Sequence, residues 1–152
     1  MQKKKKEQPY EPTPVDNLIL GYVRDYHFLT AELLLTIHYG KGSLTRAQTK
    51  LKRLYEGGYL ARRRLPHIGV GNPEYIYYLD TKGISYLQEQ GFSGFSRVRK
   101  SEIEEMKYPH LQHALSVNEF LIAARLLNRS VPDISLVEMQ HDLDLKKTGI
   151  VN

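Results

Sequence analysis

Hydrophobic positions recur at helical spacing along the first third of the chain, and glycines and prolines divide the stretches. Leu18, Ile19, Tyr22, Val23 and Tyr26 predict a first helix over about residues 16–27. Thr30 reads as the cap of a second, with Ala31, Glu32 and Leu33 in its first turn. Glu32 there complements the helix dipole. Leu33, Leu34, Ile37 and Tyr39 are its expected buried contacts, and Gly40 ends it. After the turn Lys41-Gly42-Ser43, Ser43 or Thr45 caps a third helix that runs to Glu56 and stops at Gly57-Gly58. Leu44, Ala47, Leu51 and Leu54 give it one inward stripe.

The period then changes. Residues 59–65 and 75–80 read as strands, with aromatic and β-branched residues throughout the second. Gly69, Gly71, Asn72 and Pro73 make the loop between them. Thr81 is the expected cap of a fourth helix over about 82–90, ended by Gly91, with Ile84 and Leu87 inward. Residues 92–109 read as a linker in which Glu102, Glu104 and Glu105 start a short helix. The strongest helical signal covers about 110–128, with Leu111, Leu115, Val117, Phe120, Leu121, Ile122, Leu126 and Leu127. Residues 134–139 are a candidate strand.

Three helices followed by a β-hairpin predict a mainly helical α+β chain: a winged helix-turn-helix with a two-stranded wing and a C-terminal helical extension. Four regions follow: a disordered basic arm over residues 1–14, the winged helix-turn-helix over 15–91, the linker over 92–109, and a C-terminal helix and strand over 110–152. The long helix packs either on its own domain or on a second subunit, which makes a homodimer an expectation.

Charge sharpens the picture. Between residues 41 and 64 stand eight basic residues and one acid, Glu56. Residues 1–100 carry a balance of +8 and residues 101–152 one of −3. On the third helix, Arg46, Thr49, Lys50 and Arg53 occupy the side away from the apolar stripe, flanked by Gln48 and Lys52. This helix is expected in the major groove of double-stranded DNA, with Arg46 and Gln48 near its start at base edges, Lys50 and Arg53 at phosphates or guanine edges, and Thr45, Thr49 and Lys52 as further DNA-binding residues. Arg62, Arg64 and His67 on the wing suit backbone or minor-groove contact. Arg62 and Arg64 share one strand face and Arg63 takes the other. Lys3, Lys4, Lys5 and Lys6 in the arm read as a solvated tail.

Other chemistry finds little footing. With no cysteine, disulfides and thiolate sites are excluded. No eighteen-residue apolar run exists, so a membrane span is not expected, and a cytoplasmic location is. His110 and His113 stand at i, i+3, but two histidines do not complete a metal site, and a hydrogen-bonded structural pair is the expectation. The eleven tyrosines invite comparison with nucleophiles that attack DNA phosphate. Strand alternation at Tyr75, Tyr77 and Tyr78 is explained by packing, and no activating cluster stands nearby. Neither a catalytic residue, a metal nor a small-molecule cofactor is expected, and a phosphate-binding loop of the Walker type is absent.

The series Thr30-Ala31-Glu32-Leu33-Leu34, Thr45-Arg46-Ala47-Gln48-Thr49-Lys50-Leu51-Lys52-Arg53-Leu54 and Gly58-Tyr59-Leu60 is similar to winged-helix regulators generally. The strand Glu74-Tyr75-Ile76-Tyr77-Tyr78-Leu79-Asp80-Thr81-Lys82-Gly83, followed by His110-Leu111-Gln112-His113-Ala114-Leu115-Ser116-Val117-Asn118-Glu119-Phe120, resembles the replication-relaxation family over roughly residues 15–140. That resemblance implies sequence-specific duplex DNA binding in the replication, relaxation or transfer of plasmids and other mobile elements. Longer members continue into an α/β region that looks nuclease-like, and this sequence stops before it. A MarR- or PadR-like transcriptional regulator, a fragment of a DNA-nicking relaxase and a module for an acidic protein partner are the alternatives.

Overall fold

A computed structural model describes residues 10–40, 42–66, 74–92 and 100–130. Helix α1 spans Pro14–Tyr26. Thr13 caps it in a reciprocal box with Asp16: the Thr13 hydroxyl accepts from the Asp16 amide, and Asp16 accepts from the Thr13 amide at 2.9 Å. Pro14 occupies the first turn, where its missing N–H costs nothing. The buried stripe is Asp16, Ile19, Leu20, Val23 and Tyr26, whereas Leu18 is half exposed. The inward face is thus rotated from the expected one, and it includes a carboxylate.

His27, at φ 72°, turns the chain into strand β1 (Phe28–Leu29). Helix α2 (Ala31–Leu34) follows, capped by the Thr30 hydroxyl, which accepts from the Leu33 amide at 3.2 Å. A π-helical turn over Leu35–Tyr39 extends it. Helix α3 covers Leu44–Glu56. Ser43 holds its cap position without a side-chain bond, and Thr45 lies inside the helix. At the far end the Gly58 amide donates to Tyr55 O and the Tyr59 amide to Leu54 O, with Gly58 at φ +85°. That Schellman geometry needs glycine and turns the chain directly into the sheet.

Strands β2 (Leu60–Arg64) and β3 (Tyr75–Leu79) pair antiparallel, Leu60 opposite Leu79 and Arg64 opposite Tyr75. The expected two-stranded wing is one part of a three-stranded sheet in the order β1-β3-β2, because Phe28 and Leu29 pair with Tyr78 and Tyr77. Helix α4 (Thr81–Glu89) is capped by Asp80, whose carboxylate accepts from the Thr81 amide at 2.8 Å. Thr81 is therefore the first helical residue and not the cap. Helices α5 (Lys100–Glu105) and α6 (Tyr108–Ser130) complete the described chain.

The sheet is covered on both faces. One core gathers Ile19, Leu20 and Val23 of α1, Leu34, the α3 residues Ala47, Leu51 and Leu54, and Leu60, Tyr77 and Leu87. The other joins Phe28, Ala61, Ile76 and Tyr78 to Ile103, Leu111 and Ala114 of α5 and α6. Alternation along β3 sends Ile76 and Tyr78 to the second core and Tyr77 to the first. Helix α6 is thus built into the fold of its own chain. Its Asn118, fully buried, donates to Tyr26 O at 3.2 Å and Phe28 O at 3.0 Å. Phe120 and Leu127 point outward. The candidate strand over 134–139 lies outside the described residues. No helix among the described residues is long and apolar enough to cross a membrane.

Candidate nucleic-acid interface

Helix α3 carries four basic residues, Arg46, Lys50, Lys52 and Arg53, and one acid, Glu56. Its inner stripe of Ala47, Leu51 and Leu54 is buried, which fixes the rotation of the helix. Leu44 remains at the rim, 36% exposed. Thr45, Arg46, Gln48, Thr49, Lys52 and Arg53 are exposed on the other side. These residues are not equivalent. Arg46, Gln48 and Arg53 make no side-chain hydrogen bond or ion pair with another described residue. The Thr49 hydroxyl donates to Thr45 O at 2.8 Å, a back-bond that fixes its rotamer. Lys52 lies 3.8 Å from Glu56, a solvated i, i+4 pair worth little.

Lys50 departs from the expected pattern. It turns back towards α1, with Nζ 3.7 Å from Asp16 Oδ1, and only 23% of its side chain is exposed. Asp16 is completely buried, and its Oδ1 has no hydrogen bond. Its Oδ2 accepts from Thr13 Oγ1 at 3.0 Å and from the Tyr10 hydroxyl. Tyr10 is fixed in turn by the Tyr59 hydroxyl, which donates to Tyr10 O at 2.9 Å. The last residues of the expected arm, Tyr10 to Thr13, therefore belong to the folded body. Burial pushes the Tyr10 phenol up to about 12, helped by its hydrogen bond to Asp16 and by that residue's charge.

The three wing arginines also have different fates. Arg62 lies between two rings, its guanidinium carbon 4.0 Å from the Tyr55 ring centre and 4.2 Å from that of Tyr75. The Tyr77 phenol also lies near enough to interact with it electrostatically. Arg63 reaches under the sheet and donates to Ile103 O at 2.9 Å and Met106 O at 2.6 Å. It thereby satisfies carbonyls where α5 ends. Arg64 alone of the three is exposed. His67 lies outside the described residues, as does Lys41.

No group of three or more metal-ligating side chains occurs among the described residues, and His110 and His113 are both exposed. Tyr77 and Tyr78 are buried, and Tyr75 is half-buried. Burial raises the phenols of Tyr39, Tyr59, Tyr77 and Tyr78 above the usual tyrosine range. Nearby Glu104 raises Tyr78 further, while Arg62 partly offsets the effect at Tyr77. Lys50 and Arg63 find partners 34 to 43 residues away, and Arg62 finds its two rings on other elements, so local spacing carries no signal for any of the three.

No curated protein sequence matches the chain. Among solved structures, the chain is similar to the crystal structure of Bacillus subtilis PadR in complex with operator DNA, at 17% identity and a TM-score of 0.41, covering 86% of each chain. The family model for replication-relaxation proteins matches residues 20–148, which takes in α3, the wing and α6, and the chain belongs to that family.

Proposed function

We propose that this protein binds duplex DNA by placing α3 in the major groove, with Arg64 at the edge of the wing meeting the adjacent backbone. One observation carries the reading. Arg46 and Arg53, seven residues apart and so on one side of α3, project from a helix whose inner stripe is locked into the core, and no described residue pairs with them, while exposed Gln48 stands on the other flank. Unpaired guanidinium groups on a rigid rod suit phosphates and the O6/N7 edge of guanine, and Gln48 suits adenine. Thr45 and Thr49 add short polar contacts between them. Lys50 and Arg62, held by other residues, support this surface from behind.

The biological setting proposed with it, which family membership supports, is recognition of a site used in replication, relaxation or transfer of a mobile element. The protein acts as a binder and not as a strand-cutting enzyme. Five of the eleven phenols are shifted upward, which for those five is the reverse of an activated tyrosine nucleophile, since that needs its proton removed. The test is footprinting on the DNA that surrounds its gene. Protection at a replication or transfer origin agrees with the proposal. Protection confined to its own promoter makes it a transcriptional regulator, and salt-insensitive or absent duplex binding refutes it.

A further inference from the structure

The stack of Tyr55, Arg62 and Tyr75 joins three elements. Tyr55 stands in the last turn of α3, Arg62 in the middle of β2, and Tyr75 at the start of β3. Both rings lie close to the guanidinium at near-equal distances, 4.0 and 4.2 Å. Contacts this short to two rings at once suit a flat guanidinium, which lysine lacks. Beyond Arg62, which stands opposite Tyr77, the hairpin continues with Arg63 opposite Ile76 and Arg64 opposite Tyr75 to the Leu65 amide, which donates to Glu74 O at 2.8 Å. The bracket thus sits where the wing leaves the body, and its other end is the groove-facing helix itself.

We infer that Arg62 is a positioning residue that sets the angle between α3 and the wing, so that both reach the same duplex in register. This rests on the DNA-binding reading above. A phosphate contact and a bracket make opposite demands on the side chain. A phosphate needs only a cation at the tip, which lysine supplies. A bracket needs a flat group between two rings, and its loss leaves the number of neutralised phosphates unchanged while misplacing the surfaces that carry them.

Anisotropy titrations of a labelled duplex carrying the footprinted site, repeated over a salt series, separate the two. Arg62→Ala and Arg62→Lys are both expected to weaken binding by about tenfold, the loss of two cation–π contacts of this kind, with the log–log salt slope unchanged. Tyr55→Ala is expected to weaken binding to a similar extent, and the Tyr55→Ala/Arg62→Ala double variant no further than either alone. Arg64→Ala serves as the reference contact and lowers the slope by about 0.9. Amide exchange at Leu65 should quicken in both Arg62 variants, a readout that needs no DNA.

Full rescue by Arg62→Lys, together with a slope lowered by about 0.9 in Arg62→Ala, would make Arg62 a phosphate contact and overturn the inference. If the unaltered protein shows no salt-dependent duplex binding, the DNA reading fails instead. Unchanged exchange at Leu65 would then discard the bracket as well.

Discussion

Replacing Lys50 by alanine separates a supporting lysine from a DNA-contacting one. In the structure it faces a carboxylate with no access to solvent, at 3.7 Å. Two unit charges about 4 Å apart interact by roughly 4 kcal/mol at an effective dielectric of 20. Lys50 is 23% exposed, and its ammonium does not close a tight hydrogen bond, so solvent screening removes about half of that. Asp16 keeps its partners on Oδ2, which limits the damage further. The expected loss is about 2 kcal/mol of unfolding free energy. Urea denaturation followed by circular dichroism measures it as a shift in midpoint at constant slope. Asp16→Asn should remove most of the effect of Lys50→Ala, since the lysine then has no charge to balance. A loss below about 0.5 kcal/mol, or equal losses in the unaltered and the Asp16→Asn backgrounds, would refute the pairing. Duplex affinity measured on folded Lys50→Ala should fall less than it does for Arg53→Ala.

The remaining predictions concern the frame, the arm and the chemistry. Gly83→Ala should destabilise by at least about 3 kcal/mol, because the added Cβ would stand 2.1 Å from Tyr59 O, a backbone atom that cannot swing aside; a midpoint near that of the unaltered protein contradicts this packing of α4 on the start of β2. Asn118→Ala should cost about 2 kcal/mol through the loss of two buried hydrogen bonds, read by the same denaturation. Tyr10 has its folded value raised to about 12, so its contribution is complete below its ordinary value of 10 and is lost as pH rises from there through 12. Stability should accordingly fall more steeply over that alkaline window in the unaltered protein than in Tyr10→Phe, and parallel curves would refute it. Supercoiled plasmid incubated with the protein and Mg²⁺ or Mn²⁺ should stay supercoiled, and nicked circles on a gel would reopen the relaxase alternative.

The helix-turn-helix is legible in the sequence because it is local. Ala47, Leu51 and Leu54 define the inner face of α3 by spacing alone, and all three are buried. Gly58 and Gly91 mark helix ends where a positive φ is required. The double cover of the sheet is harder to see. Ile76, Tyr77 and Tyr78 form an unbroken apolar run, the mark of a strand buried on both faces, yet the hairpin pattern alone predicts a wing with an open face. Strand β1 escapes because two residues carry no period. The site is readable at the level of the helix face and not of individual side chains. Lys50 and Arg53 look alike on a helical wheel. What separates them is Asp16, an acid 34 residues before Lys50 that sits at a core position of α1. Arg63 likewise looks like another wing cation until the carbonyls of Ile103 and Met106 are brought beneath it. Such pairings come from tertiary packing, which single-chain periodicity does not encode.

The central claim is that the outer face of α3 neutralises DNA phosphates or base edges. The most direct measurement is the salt dependence of duplex binding for the unaltered protein and for Arg46→Ala/Arg53→Ala, two exposed residues whose replacement leaves the core intact. If both arginines lie on the backbone, the log–log slope falls by about 1.8, at about 0.9 for each phosphate contact, and affinity falls at every salt concentration. If either reads a base, the slope falls less while discrimination among sequences is lost. A double variant that binds with the affinity, slope and sequence preference of the unaltered protein would contradict the account.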